Sequence, residues 1–184
     1  MPTNPANPWK KLKSEIIYKN KWYSVRRDEV ITPSGEPGEY NVIDEPDGVF
    51  IIALGTDDKF YLIENYRYTT SMQSLEVPAG GSEGQEPLAA AKRELQEETG
   101  LTADTWTSLG KFQADNGKTN SFDHVFIARG LHRTKDHAQK EEGITGMQKV
   151  TLAQALAMIK DGRITDGHSI AAITLAALHL QALK

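Results

Sequence analysis

Apolar and polar positions are distributed unevenly along the chain, and the unevenness sets out its elements. Residues 49–54 form a continuous apolar run of the kind a strand buried on both faces requires. Before it, residues 15–18 and 22–31 predict two strands about a turn at Lys19 and Asn20. Residues 40–43 predict another after the breaks at Pro33-Ser34-Gly35 and Glu36-Pro37-Gly38. After it, Asp57 and Asp58 turn the chain into a strand over 60–66, and residues 74–77 predict a short one. Strands over 106–113 and 124–128 follow, joined by a polar connection at 115–121. Residues 132–142 are dense in charge without apolar periodicity and predict a loop. Helical patterns occur in three places. One runs from Pro87, suited to a first helical position, to Gly100, suited to the residue past a helix end. Thr151 caps a second over 152–161, which Gly162 ends, with Leu152, Leu156 and Ile159 on one face. A third covers 169–183. Strands, a central helix, strands and late helices predict an α+β fold with helices on a mixed sheet, preceded by an antiparallel β-meander.

The first helix carries the candidate chemistry. At about 100° per residue, Glu94, Glu97 and Glu98 share one side, while Leu88, Ala91 and Leu95 form an adjoining apolar stripe. Arg93 points away from the acidic side by helical phase, which suggests a structural role. Glu94 and Glu98 lie one turn apart and repel unless something positive sits between them. Two readings stand: a solvated acidic face, or a site for a hard divalent cation, Mg²⁺ or Mn²⁺. The preceding loop favours the second, because Pro78, Gly80, Gly81 and Gly84 crowd a stretch where backbone would approach a ligand closely.

Composition narrows the classes. At 184 residues the chain is long enough for one domain with a real core. We read 1–184 as a single domain, with a flexible arm at 1–13, N-terminal strands at 14–45 and a catalytic core at 46–184. A net charge of -4 disfavours a polynucleotide substrate. Without cysteine there is no disulfide, thiolate metal site or cysteine nucleophile, which fits a reducing compartment. The N-terminus lacks an apolar signal core, and no run approaches the roughly 18 apolar residues of a membrane span. A soluble, cytoplasmic protein is expected. The five histidines show no metal-ligand spacing, and Ser121 near His124 forms no recognisable triad, so structural or solvent roles are expected of them.

Arg93-Glu94-Leu95-Gln96-Glu97-Glu98-Thr99-Gly100-Leu101 resembles the second half of the Nudix box at every defined position. The first half departs from it: Ala79 stands where the box glycine belongs and Gln85 where its first glutamate belongs. A loop shorter by one residue restores Gly80 as the box glycine, with Glu86 or Glu83 replacing the missing carboxylate. Glu64-Asn65-Tyr66-Arg67-Tyr68, Leu75-Glu76-Val77-Pro78-Ala79-Gly80 and Gly162-Arg163-Ile164 resemble the ADP-ribose pyrophosphatase branch of the family.

The resemblance implies a Nudix α/β/α sandwich with a mixed central sheet. It also implies an N-terminal meander used in a homodimer, and Mg²⁺- or Mn²⁺-dependent hydrolysis of ADP-ribose or a related nucleoside diphosphate sugar. The implied metal ligands are Glu94, Glu97, Glu98 and the main chain of Ala79 or Gly80. Candidate catalytic residues are Glu97 and a general base at Glu141 or Glu142; candidate substrate-binding residues are Arg67, Glu76, Gly80 and Gly81. Trp22 and Tyr23 are candidates to stack on a nucleobase, with packing an equal explanation. Alternatives are a pyrophosphatase that sanitises modified nucleoside triphosphates and a nucleotide-sugar sensor that binds without turnover. No nucleic-acid or membrane partner is expected.

Overall fold

The structure is a computed structural model and describes residues 7–135 and 143–180. The chain divides into two compact units, Met1–Pro46 with Asp115–Ser121, and Asp47–Ala114 with Phe122–Lys184.

In the first unit, β1 (Lys10–Lys19), β2 (Ser24–Ile31) and β3 (Pro37–Asp44) form an antiparallel sheet in that order. Asn20 closes the first hairpin because its Oδ1 accepts the N–H groups of Trp22 and Tyr23, both at 2.8 Å, in the way short amide side chains mimic a turn. The strand starts earlier than the sequence suggests: Lys10 and Lys11, within the stretch read as an arm, pair with Ile31 and Val30. Three lysines in its first four residues hid it. The connection at 115–121 lies on this unit, where Ile43 N–H donates to the Lys118 carbonyl (2.8 Å) and the Tyr40 hydroxyl to that of Gly117 (2.9 Å).

The second unit is built on β4 (Gly48–Ala53). It pairs in parallel with β9 (Asp123–Arg133) and antiparallel with β7 (Ala79–Gly81), and β8 (Leu101–Phe112) completes the four-stranded sheet in the order β7-β4-β9-β8. Alternation along β4 sends neighbours to opposite faces. Val49, Ile51 and Ala53 pack with Ala90, Ala91 and Leu95 of helix α1 (Pro87–Thr99). Ile52 and Leu54 pack with Ala155 and Met158 of α2 (Leu152–Lys160) and Ala172, Ile173 and Ala176 of α3 (Gly167–His179). The apolar run of β4 is therefore the middle of a layered α/β/α core. A second sheet, β10 (Ile144–Thr151), β5 (Lys59–Arg67) and β6 (Met72–Glu76), contributes Phe60, Leu62, Leu75 and Val150 to that core.

The helix ends follow local chemistry. Pro87 opens α1 and Gly100, at φ 65°, closes it in the left-handed conformation that glycine adopts without cost. Thr151 and Gln154 form a reciprocal capping box on α2. Asp166 caps α3, so that helix starts at Gly167, two residues before the sequence expectation. The apolar stripe of α1 also differs: Leu88 is 38% exposed, and Ala90 joins Ala91 and Leu95 in contact with β4. Two alanines let the helix approach the sheet closely. No helix among the described residues is long and apolar enough to cross a membrane.

Candidate active site

The acidic side of α1 is not solvated. Glu94 and Glu98 are only 6% and 5% exposed, and burying two carboxylates is costly unless polar partners surround them. The glycine loop supplies part of that surrounding. Its first residues form β7, pinned on β4 through Phe50↔Ala79 and Gly48↔Gly81, and Ser82 N–H donates to the Asp47 carbonyl at 2.7 Å. So held, Ala79 donates its N–H to Glu98 Oε2 at 2.7 Å. Gly80 lies flat on Glu94; a Cβ there would sit 2.1 Å from the carboxylate carbon. The loop then turns through Glu83 and Gly84, both at positive φ, into α1.

Arg93 corrects the helical-phase expectation. Its stem leaves the helix beside the acidic side, but its guanidinium turns back between two carboxylates, 2.7 Å from Glu94 Oε1 and 2.7 Å from Glu97 Oε2, and donates to the Gly81 carbonyl at 2.9 Å. Burial alone would lower the Arg93 pKa; the charges of Glu94, Glu97 and Glu83 outweigh it and raise the pKa above the ordinary arginine value. Arg93 thus supplies the positive charge that separates Glu94 from Glu97. Among the described residues, no three histidine, cysteine, aspartate or glutamate side chains converge as a ready-made cation cage. The donor chemistry nevertheless fits a hard divalent ion: three carboxylates on one side of a helix, beside a loop whose glycine permits contact with Glu94.

Beside the loop opens a cavity of about 600 Å³, lined among others by Arg67, Glu76, Ala79, Gly80, Asp166 and His168. Arg67 is gripped by the buried Glu76, with Nε donating to Oε1 at 2.8 Å and Nη2 to Oε2. Its pKa is raised, first by that hydrogen bonding and then by the charges of Glu76, Asp166 and Glu98, against the effect of burial. The bidentate grip fixes the guanidinium plane of a residue that lines the cavity. The far wall is the start of α3. Ser169 Oγ accepts the buried N–H of Val77 at 3.0 Å, tying that helix to the strand that enters the loop, and Asp166 Oδ2 accepts Ser169 N–H at 2.7 Å. Burial pushes the Asp166 pKa up, but the neighbouring His168 imidazole, 3.6 Å away, and hydrogen bonding from Ser169 bring it down to about 2.

The structure therefore brings Arg67, Glu76, Ala79, Gly80, Gly81, Glu94, Glu97 and Glu98 into one region of the second unit. Glu141 and Glu142 lie outside the described residues. Trp22 and Tyr23 are exposed at a hairpin tip of the first unit. Sequence reasoning missed Asp166, Ser169 and His168. The run Asp166-Gly167-His168-Ser169 carried a helix-start signal, an N-cap aspartate three residues before a serine, that would have placed all three on the first turn of α3.

Comparisons with known proteins bear on this geometry. Residues 9–43 match the family model of the nucleoside diphosphate sugar hydrolase N-terminal domain, and residues 44–173 match that of the NUDIX domain. A methanol dehydrogenase activator of Bacillus methanolicus is 30% identical over 177 residues, 95% of each chain. An ADP-ribose pyrophosphatase of Bacillus subtilis is 29% identical over 179 residues, covering 95% of this chain and 97% of the relative. A crystal structure of an ADP compounds hydrolase superposes with a TM-score of 0.84 over 98% of both chains at 21% identity, a likeness of fold. With its box helix, its clasped glycine loop and a domain match over 44–173, the chain belongs to the Nudix family and is a Nudix pyrophosphohydrolase.

Proposed function

We propose that the protein hydrolyses the pyrophosphate bond of ADP-ribose or a related nucleoside diphosphate sugar, releasing a nucleoside monophosphate and a sugar phosphate. The observation that carries this reading is the pair of buried carboxylates, Glu94 and Glu98, with the glycine loop folded over them beside a cavity that contains Arg67. A match over residues 9–43 to a nucleoside diphosphate sugar hydrolase domain supports this substrate class over a nucleoside triphosphate.

Glu94, Glu97 and Glu98, with the Ala79 carbonyl, would hold the divalent metal that Nudix hydrolases generally use, and such an ion, Mg²⁺ or Mn²⁺, would supply positive charge for the phosphoryl groups and a more acidic water. The chain's own residues do the rest. Arg67, aligned by Glu76, donates to a phosphoryl oxygen and stabilises charge as the P–O bond to the leaving phosphate breaks. Gly80 and Gly81 present backbone without side chains, so a diphosphate reaches the loop. Asp166 and Ser169 fix the opposite wall. Glu141 and Glu142 remain the candidates to take the proton from the attacking water.

The first unit supports a homodimer. Every residue of β1 is exposed, Leu12, Ile16 and Ile17 among them, and Trp22 at the hairpin tip is 65% exposed. An unpaired strand edge with apolar side chains is a surface that a second copy of this chain would cover.

A substrate panel tests the activity: ADP-ribose, GDP-mannose, other nucleotide sugars and nucleoside triphosphates, each with Mg²⁺ and with Mn²⁺. Nucleoside monophosphate released from a nucleotide sugar is the expected result. Pyrophosphate released from a triphosphate, with nucleotide sugars untouched, would replace the reading by that of a nucleotide-pool sanitiser. Tight binding of a nucleotide sugar without turnover in saturating metal would replace it by that of a sensor.

A further inference from the structure

The glycine loop is held at two ends, and the second hold involves residues that the proposed chemistry does not use. At its start, Ala79 is bonded to Glu98. At its far end the pairing of β7 with β4 stops at Gly48↔Gly81, and beyond it Ser82 N–H donates to the carbonyl of Asp47, the residue before β4. The ends of a strand pairing open most readily, and this end bears on the site. Gly81, next to Ser82, offers the carbonyl that accepts Arg93, and Arg93 separates Glu94 from Glu97. Glu83 and Gly84 then turn at positive φ, so after Ser82 the loop has left the sheet.

The Asp47 carboxylate pins that end to β9. Its Oδ1 accepts the Phe122 N–H at 2.9 Å, and its Oδ2 lies 2.9 Å from His124 Nε2. Burial alone would raise the Asp47 pKa; the Phe122 N–H, the His124 ring and the Lys111 charge outweigh it and hold the pKa below the ordinary aspartate value. An ionised carboxylate only accepts, so the short contact puts a proton on Nε2 of the imidazole. Register brings His124 there. It pairs with Val49 of β4 and, by alternation, shares a face with Phe126, which packs with Ala90, Ala91 and Leu95 of α1. Its side chain is only 20% exposed. Lys111, its partner on β8, sets its amine 3.8 Å from the centre of the Phe122 ring and so braces the residue that gives Asp47 its other donor.

We propose that His124 is a positioning residue for the glycine loop: through Asp47 it closes the open end of the β7–β4 pairing and keeps the Gly81 carbonyl on Arg93, an inference that rests on the activity proposed above. His124 lies outside the lining of the substrate cavity, and its hydrogen bond is to Asp47. Its loss therefore reaches turnover through the loop and leaves the cavity around Arg67 and Glu76 as it was.

Two substitutions separate the bond from the bulk. His124→Gln keeps an N–H within reach of Asp47; His124→Leu fills the space without a donor. Positioning predicts that His124→Leu lowers kcat for ADP-ribose about tenfold, the cost of a shift of a fraction of an ångström, with KM changed less than about twofold. The Ser82 amide should lose protection from hydrogen exchange in the same variant, and His124→Gln should restore both. Because the action runs through Asp47, adding His124→Leu to Asp47→Ala should lower kcat no further than Asp47→Ala alone. Nitrogen NMR of the wild-type protein needs no variant to fold, and it should show a proton on His124 Nε2 at neutral pH. Wild-type kcat or undiminished Ser82 protection in His124→Leu, a glutamine variant as impaired as the leucine one, losses that multiply in the double variant, or a bare Nε2 overturns the positioning role while leaving the hydrolase reading intact. Wild-type protein that cleaves no nucleoside diphosphate sugar overturns both.

Discussion

Gly80 lacks a side chain because Glu94 occupies the space one would fill. Gly80→Ala should lift the loop from α1 by a fraction of an ångström to more than one, and displacements of about 1 Å in catalytic groups cost about a hundredfold in rate. We expect that loss of turnover with an unchanged circular dichroism spectrum. Asp166 gives a pH prediction. Its pKa is about 2 in the folded chain against 3.8 for an unperturbed aspartate, so folding favours the ionised form. Its contribution, about 2 kcal/mol, is complete above the unfolded value and is lost as pH falls from about 4 toward 2. Asp166→Asn should therefore lower stability at pH 7 and reduce the difference between pH 5 and pH 2.5 in urea melts. At this scale the acidic trio was legible, because helical periodicity fixes where Cβ atoms point. Arg93 was not, since a long side chain can turn its guanidinium back across the helix face. His168 was not, because Phe50 and Asp123 reach it from other elements.

The central helix and strand hold the site through packing, and a buried hydrogen bond ties α3 to Val77 at the entry to the loop. Leu95, fully buried against β4, should cost about 2–5 kcal/mol when replaced by alanine, measured by denaturant unfolding. Ser169→Ala leaves the Val77 N–H buried without its acceptor and should cost about 1–3 kcal/mol by the same measurement. Both elements announced themselves in the sequence: β4 as an uninterrupted apolar run, α1 by Pro87 at one end and Gly100 at the other. β10 did not. Its pairing with β5 carries an irregularity between Ile144 and Gly146, and only Val150 along it is fully buried, so no alternation was there to read. β7 was hidden because three small residues, Ala79 to Gly81, pair through backbone alone.

For the whole molecule, the layered core with a separate antiparallel sheet follows the order of elements, which is why the fold class could be read before any coordinates. Assembly depends on surface chemistry: if the proposed dimer forms through β1, wild-type protein should have the mass of two chains in light scattering and replacing Ile16 and Trp22 together by lysine should reduce it to one, whereas a wild-type mass of one chain or an unchanged double variant would contradict that interface. The central claim is that the buried carboxylates of α1 serve cleavage of a nucleotide-sugar diphosphate. Phosphorus NMR of ADP-ribose incubated with Mg²⁺ and either wild-type protein or Glu98→Gln tests it directly. Wild-type protein should convert the diphosphate signals to those of AMP and ribose 5-phosphate, and folded Glu98→Gln should leave them standing; a Glu98→Gln rate near that of the wild type would contradict the account.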